Sequence, residues 1–265
     1  MVQIPPPQLV WQGCSRLHPY YGFAPTGWGL EKMEIKLLTE WSSMLFLQPS
    51  AGRASLNPRT NMGRVSDAKE RLMEAVRELF WTGSYGSTTI DLICEKAGVK
   101  KGSFYYFYES KADLALDALT EEWERRRAEL DTIFSPTAPP LERLNRYLEY
   151  GYALQDEIRS KFGCVLGCPL LSLGAEVSTQ EHRLQKKIQD ILDQKRKYLE
   201  SAIRDAHAAG LIYAPNAAAK ARILFSYYQG LLAQARIQND LKILAEAKEG
   251  TLELLGVADS EAVAI

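Results

Sequence analysis

Residues 88–111 read TTIDLICEKAGVKKGSFYYFYESK, and the fold turns on this stretch. Ile90, Ile93, Ala97 and Val99 recur at the spacing that gives a short helix one buried face. Gly98 stands where that helix must stop, since a residue without a Cβ enters a tight turn at no steric cost. Phe104 is placed to lock the next helix onto the same core. The pattern is that of a helix-turn-helix. Its second helix is very short and leaves Lys100, Lys101, Ser103, Tyr105 and Tyr106 to solvent, and Lys111 opens the helix that follows. Lysines and free N–H groups at helix starts neutralise phosphates, while hydroxyl and aromatic groups reach base edges, sugars and thymine methyl groups. With Thr88 and Thr89 at the start of the leading helix, these residues form the candidate DNA-binding set.

Outward from this stretch, nearly everything from Ser66 on reads as helix. Asp67 with Glu70, Thr88 with Asp91, Ser110 with Asp113 and Ser178 with Glu181 each pair a capping side chain with an acid three residues later, so four helices are expected to begin there. Gly83 and Gly86 separate the first helix from the second. A long helix is predicted over 111–134, stopped by Pro136, Pro139 and Pro140. Further helices are predicted over 141–161, 169–177, 179–209, 216–237 and 241–254. With no convincing alternating run and no internal repeat, the expected class is all-α: an amino-terminal three-helix domain followed by a larger helical domain.

The string 88–111 resembles the amino-terminal helix-turn-helix of the TetR family of transcriptional regulators. The likeness spans residues 62–111: a lead-in helix ending in Phe80, the Thr88-Thr89 start, Ala97-Gly98-Val99, and a recognition helix over 102–107 followed by Lys111. It implies a homodimer that binds a palindromic DNA operator, commonly as a repressor, and lets go when a small molecule enters the carboxy-terminal domain. It also implies that Thr89 and Lys111 clamp phosphates while Lys101, Ser103, Tyr105 and Tyr106 sit in the major groove. Tyr108 followed by Glu109 departs from this, because an acid near DNA adds nothing to affinity.

Residues 112–257 are then the expected ligand-binding and dimerisation domain. Trp123, Tyr147, Tyr150, Phe162, Leu170 and Leu171 are candidates for an apolar ligand wall. Ile223, Leu224, Tyr227, Gly230, Leu231, Gln234 and Ala235 put small and apolar groups on one broad helix face, which the resemblance assigns to a four-helix dimer interface. The same face could instead cover its own core. The segment from Phe162-Gly163-Cys164 through Cys168-Pro169 to Leu173 and Glu176 resembles a subset of TetR regulators with a Gly-Cys segment before a short helix, some of which sense reactive electrophiles. Cys164 and Cys168 are therefore candidate redox residues, although cysteine is also a small hydrophobe. Two thiols with an isolated His182 make no metal site, and no cofactor is expected. His207 reads as a solvated or core helix position.

The whole chain sets the remaining bounds. Its 265 residues are 46% hydrophobic and 25% charged, enough to bury a core. Thirty-two basic against thirty-three acidic side chains exclude a globally basic coat, so any DNA-binding surface is local. Between Lys96 and Lys111 there are four lysines against one acid, Glu109. Residues 1–61 hold seven of twelve prolines and three of five tryptophans with little periodicity. They are expected to be an appendage, disordered or the product of a start codon placed too early, and 258–265 a tail. Sparse cysteines, no membrane-length apolar run and no basic amino-terminal stretch lead to the expectation of a soluble cytoplasmic protein. No phosphate loop, carboxylate pair or nucleophile elbow suggests an enzyme, and the competing class is a helical protein-interaction module.

Overall fold

A computed structural model describes residues 61–257, so the expectations for the preceding segment and for the 258–265 tail lie outside the described residues. Helix α1 spans Asn61–Thr82 and buries Leu72, Met73, Ala75, Val76 and Phe80, the 3–4 spacing of one helix face. It begins before the predicted cap: Asp67 lies inside the helix and pairs with Arg71 at 3.3 Å instead of capping. The chain continues through α2 (Ile90–Ala97), α3 (Lys101–Phe107), α4 (Lys111–Ile133), α5 (Pro140–Phe162), α6 (Pro169–Val177), α7 (His182–Ala208) and α8 (Ala217–Gln238). A 3₁₀ turn over Leu241–Glu246 and α9 (Ala247–Leu255) complete it. The described residues contain helices and no strand.

Local chemistry explains most boundaries. Pro140 and Pro169 occupy first-turn positions, where proline's missing N–H has no partner to lose and its fixed φ suits the helix. Ser110 Oγ accepts from Asp113 N, and Asn216 Oδ1 from Ala219 N, fixing the starts of α4 and α8. The start predicted at Ser178 fails because Gln180 N and Glu181 N both donate to Val177 O in a turn, while Ser178 Oγ turns back to Ala175 O; α7 begins only at His182. The single helix predicted over 241–254 divides because Asp240 Oδ1 takes Lys242 N at 2.9 Å and winds the first turn as 3₁₀.

Helix α7 is the hub of the second part, packed against α4, α5, α6 and α8. Its buried residues Leu184, Ile188, Ile191, Leu199, Ala202, Ile203 and Ala206 form one stripe. Arg143 of α5 crosses to this helix: its guanidinium binds Asp205 at 2.6 Å and the carbonyls of Ala138 and Pro136, so the α4–α5 loop is held by a buried cation each of whose three nitrogens has a partner. One apolar cluster runs from Leu72 to Leu255, so α1–α3 stand on the larger helical body rather than apart from it.

Candidate nucleic-acid interface

Thr89, with φ −92° and ψ 159°, caps α2 by accepting from Leu92 N at 3.1 Å. Thr88 is a correction: only 2% exposed, it donates its hydroxyl to Ser84 O at 2.6 Å and has nothing left to offer a phosphate. Helix α2 ends at Gly98 in the left-handed conformation (φ 62°), where Gly98 N and Val99 N return to the carbonyls of Glu95 and Cys94. Arg71 of α1 closes the turn from outside, donating to Ala97 O at 3.0 Å and Gly98 O at 3.3 Å. Nothing in the apolar pattern singled out Arg71, which lies on the polar face of α1.

Phe104 is fully buried and anchors α3, with Tyr108 ring to ring at 6.0 Å. Tyr108 and Glu109, read as a departure in the contact surface, separate here. Tyr108 is core, its hydroxyl donating to Asp117 at 2.8 Å, and burial first, then that carboxylate, raise its proton affinity; Glu109 is exposed. The outward face of α3 carries Gly102, Tyr105 at 54% exposure and Tyr106 at 73%, with Ser103 half-buried beside them. Beyond its own stretch of helix backbone, nothing among the described residues lies within 4 Å of where a Gly102 Cβ would stand, so the backbone there is open to close approach.

The lysines are not equivalent. Lys96 binds Glu78 at 2.5 Å and Lys101 binds Asp91 at 2.8 Å, the carboxylate raising that lysine's pKa through its hydrogen bond and charge. Lys111 is a second correction: its ammonium turns inward and donates to Tyr85 O at 2.5 Å and Thr88 O at 2.8 Å, stacked 4.0 Å over the Tyr85 ring. Burial lowers its pKa, and the phosphate contact expected of it would break this staple. Exposed Lys100, at the start of α3, has no ion pair among the described residues.

The α1–α2 turn that Lys111 staples is gripped from the other side by Glu176 of α6, which accepts from Tyr85 N at 2.8 Å and Gly86 N at 2.7 Å. Trp81 Nε1 donates to the carbonyls of Leu166 and Gly167, both at 3.2 Å. Arg236 of α8 reaches Leu166 O, Ser172 Oγ and Trp81 O. The helix-turn-helix is thus wired through hydrogen bonds to the segment before α6, and no short motif in the sequence marks these long-range partners.

Comparison with known proteins finds family matches over both the helix-turn-helix and the larger helical body. The family described as "Bacterial regulatory proteins, tetR family" matches residues 72–118, and "Tetracyclin repressor-like, C-terminal domain" matches 140–251. The chain belongs to the TetR family. It is 26% identical over 206 residues to the transcriptional regulator AcuR of Cereibacter sphaeroides, covering 76% of this chain and 89% of that one. It is 25% identical over 176 residues to the transcriptional repressor DhaR of a Mycobacterium species, covering 65% and 84%. A regulatory protein TetR from Rhodobacter sphaeroides shares the fold with a TM-score of 0.63 at 23% identity, over 71% of this chain and 98% of that one. As a TetR-family member the chain is a DNA-binding transcriptional regulator.

In this TetR-family body the candidate ligand wall is only partly assembled. Trp123, Tyr147 and Leu170 are buried, Tyr150 is tied by its hydroxyl to Arg126 at 2.6 Å and to Glu129, and Phe162 is half-buried. Leu171 is corrected: at 37% exposure it faces solvent. Tyr147 alone of the six borders the small apolar cavity of ≈ 10 Å³ that also touches Leu148, Leu199, Leu224 and Tyr228, room for about one water. Cys168 is buried at the start of α6, and Cys164 is half-buried with its thiol 3.7 Å from Phe162 O.

The candidate dimer face also divides. Leu224, 3% exposed, is core, and so is Ala235; Tyr227 lies over Gly250 of α9 with its hydroxyl donating to Glu246 O. Leu231 is half-buried against the core. Gly230 and Gln234 are exposed, in line with Ile223 and with Ile237 at 77%, a residue the sequence reading did not include. No described helix is long and apolar enough to cross a membrane.

Proposed function

We propose that the chain acts as a cytoplasmic homodimeric repressor rather than an enzyme, and that it reads a palindromic operator with α3 and releases it when a small molecule enters the α4–α8 body. The observation that carries this reading is the α3 face: Tyr105 and Tyr106 project from a helix only seven residues long whose inner side, at Phe104, is immobilised. Large aromatic surface left in water on so short a helix finds its use when bases or sugars cover it. Lys100 supplies an uncommitted charge, Ser103 a hydroxyl, and Lys101 a second charge once phosphate replaces Asp91. Thr89 stands exposed beside them.

Release has a physical route. Glu176 ties the α1–α2 turn to α6 and Trp81 and Arg236 tie the end of α1 to the segment before α6, while Lys111 staples the same turn to α4, so a ligand that displaces α6 moves the turn with it. AcuR is named a transcriptional regulator and DhaR a transcriptional repressor, which supports repression here. Fluorescence anisotropy on selected duplex DNA tests the reading: a sequence-specific, salt-dependent complex is expected, weakened in Tyr105→Ala and Tyr106→Ala and dissociated by an effector. Binding that ignores sequence would remove the regulator reading.

A second trigger is favoured by one arrangement. Cys164 and Cys168 bracket Leu166 and Gly167, whose carbonyls hold Trp81, so thiol modification would act on the same wiring. Operator release by an electrophile in the parent, and its loss in the Cys164→Ser, Cys168→Ser double variant, is the outcome this trigger requires.

A further inference from the structure

Two small cavities adjoin at the seam between α5 and α9. The inner one is the cavity beside Tyr147 and Tyr228, whose lining also includes Leu144, Leu199 and Leu224. The outer one, again of ≈ 10 Å³, is bordered by Leu141, Asn145 and Leu148 of α5 and by Lys248, Thr251 and Leu252 of α9. Those spacings put each set on one face of its helix. Leu148 and Thr251 border both cavities, so these two side chains stand between them.

Polar atoms without partners collect here. Thr251 is 3% exposed, and its hydroxyl is buried with no hydrogen bond among the described residues. Asn145 donates through Nδ2 to Glu149 at 2.8 Å, which orients the amide and leaves Oδ1 buried without a donor. Both groups border the outer cavity, and neither satisfies the other. The Tyr228 hydroxyl is a third such group, but it is tucked against the α5 backbone, where a Cβ on Gly151 would overlap it. A buried hydroxyl and a buried acceptor left unpaired are unfavourable for the free protein. The leucine-rich inner cavity offers a water few partners but suits an alkyl group. A polar pair therefore faces an apolar recess across Leu148.

We propose that the α5–α9 seam is a binding site for a small aliphatic alcohol. Its hydroxyl donates to Asn145 Oδ1 and accepts from Thr251 Oγ1, while its alkyl chain passes Leu148 and opens the inner cavity toward Leu199 and Leu224. The head must carry a donor, because Asn145 Oδ1 only accepts; an ether or a carboxylate has none. A cationic amine is disfavoured by Lys248, which borders the same cavity. Helix α9 is tied to α8 near both ends, by Tyr227 to Glu246 O and by Lys220 to Leu254 O at 3.0 Å, so parting α9 from α5 also pulls on α8. The proposal rests on the effector reading above only for the release of DNA; the site and its ligand chemistry stand on the seam itself.

The test uses the full chain with threonine and leucine methyl groups isotopically labelled, so that the resonances of Thr251 and Leu148 report the seam directly. The probes are n-pentanol and n-hexanol, their isomers butyl methyl ether and pentyl methyl ether, and hexanoate. The alcohols are expected to shift both resonances and to bind at least tenfold more tightly than the ethers and hexanoate. Thr251→Val should stay folded by circular dichroism and lose the preference for alcohol over ether, whereas Tyr228→Phe should keep it. Leu148→Phe fills the space between the cavities and should block alcohol and ether alike. Equal binding of alcohol and ether, tighter binding of hexanoate, an unchanged preference in Thr251→Val, or binding of neither alcohol would overturn the proposal. Operator release is measured in parallel: an alcohol that binds at Thr251 without releasing DNA leaves the site standing and removes the effector reading, and release by an ether or hexanoate with no shift at Thr251 does the reverse.

Discussion

Lys100 carries the uncommitted charge of the helix-turn-helix, because Lys96, Lys101 and Lys111 are each bound within the chain. Replacing Lys100 by Ala should therefore lower the salt dependence of DNA binding by about one unit of slope with no change in thermal midpoint. Lys111→Met should behave differently. It removes two charge-assisted bonds that hold the α1–α2 turn, so it lowers stability by about 1–3 kcal/mol while the slope barely moves. A normal midpoint with a reduced slope in Lys111→Met would restore the phosphate role expected from sequence. At this scale identity was legible and orientation was not. Thr88 and Thr89 both open a helix-start pattern, and only the fold decides that Thr89 caps while Thr88 is folded back on Ser84. Lysine's four-carbon stem leaves its direction equally open until the Tyr85 ring lies beneath it.

Helices announce themselves where a side chain acts on its own backbone. Ser110, Asn216, Pro140 and Pro169 work within three or four residues, and the boundaries they set agree with the sequence reading to within a residue or so. Contacts between elements leave no such trace: Arg71, Trp81 and Arg236 carry no signal, and Glu176 stands out only as the end of the Gly-Cys segment, not as a partner of the α1–α2 turn. Glu176→Ala should release Tyr85 N and Gly86 N, speed amide exchange at both, and weaken operator binding by about 1–2 kcal/mol while α4–α9 keep their protection. Unaltered exchange at Tyr85 and Gly86 would mean that the carboxylate does not order the turn. Gly167 is the tight point of the same wiring. Its φ is +63° and an added Cβ would meet Leu232 O at 2.8 Å, so Gly167→Ala should cost about 1–3 kcal/mol, read as a lowered thermal midpoint. Gln155, buried and bonded to both Gly167 N and Gly167 O, holds that loop so firmly that the strain cannot relax by small shifts.

For the molecule as a whole, two short recognition helices must be held about 34–36 Å apart to read a palindrome, and one subunit alone cannot do so. The exposed line Ile223, Gly230, Gln234 and Ile237 on α8 is the face we propose for contact with a second copy. Ile237→Glu would place a charge in that contact and should leave a folded monomer in sedimentation whose operator affinity falls about 100-fold or more. A variant that stays dimeric would move the interface elsewhere. Which apolar residues of α8 face inward was ambiguous in sequence because polar residues such as Arg222, Gln229 and Gln234 are interspersed among the apolar ones; Leu224 and Tyr228 are used by its own core, leaving Ile223 and Ile237 outside. The central claim, that the α3 face reads DNA sequence for a paired molecule, is tested most directly by selecting from random duplex DNA with the full chain and with the Tyr105→Ala, Tyr106→Ala double variant. The parent should enrich one inverted repeat with half-sites about a helical turn apart, and the double variant should lose that enrichment while still folded. Enrichment of no sequence by the parent, or of the same repeat with equal affinity by the double variant, would contradict it.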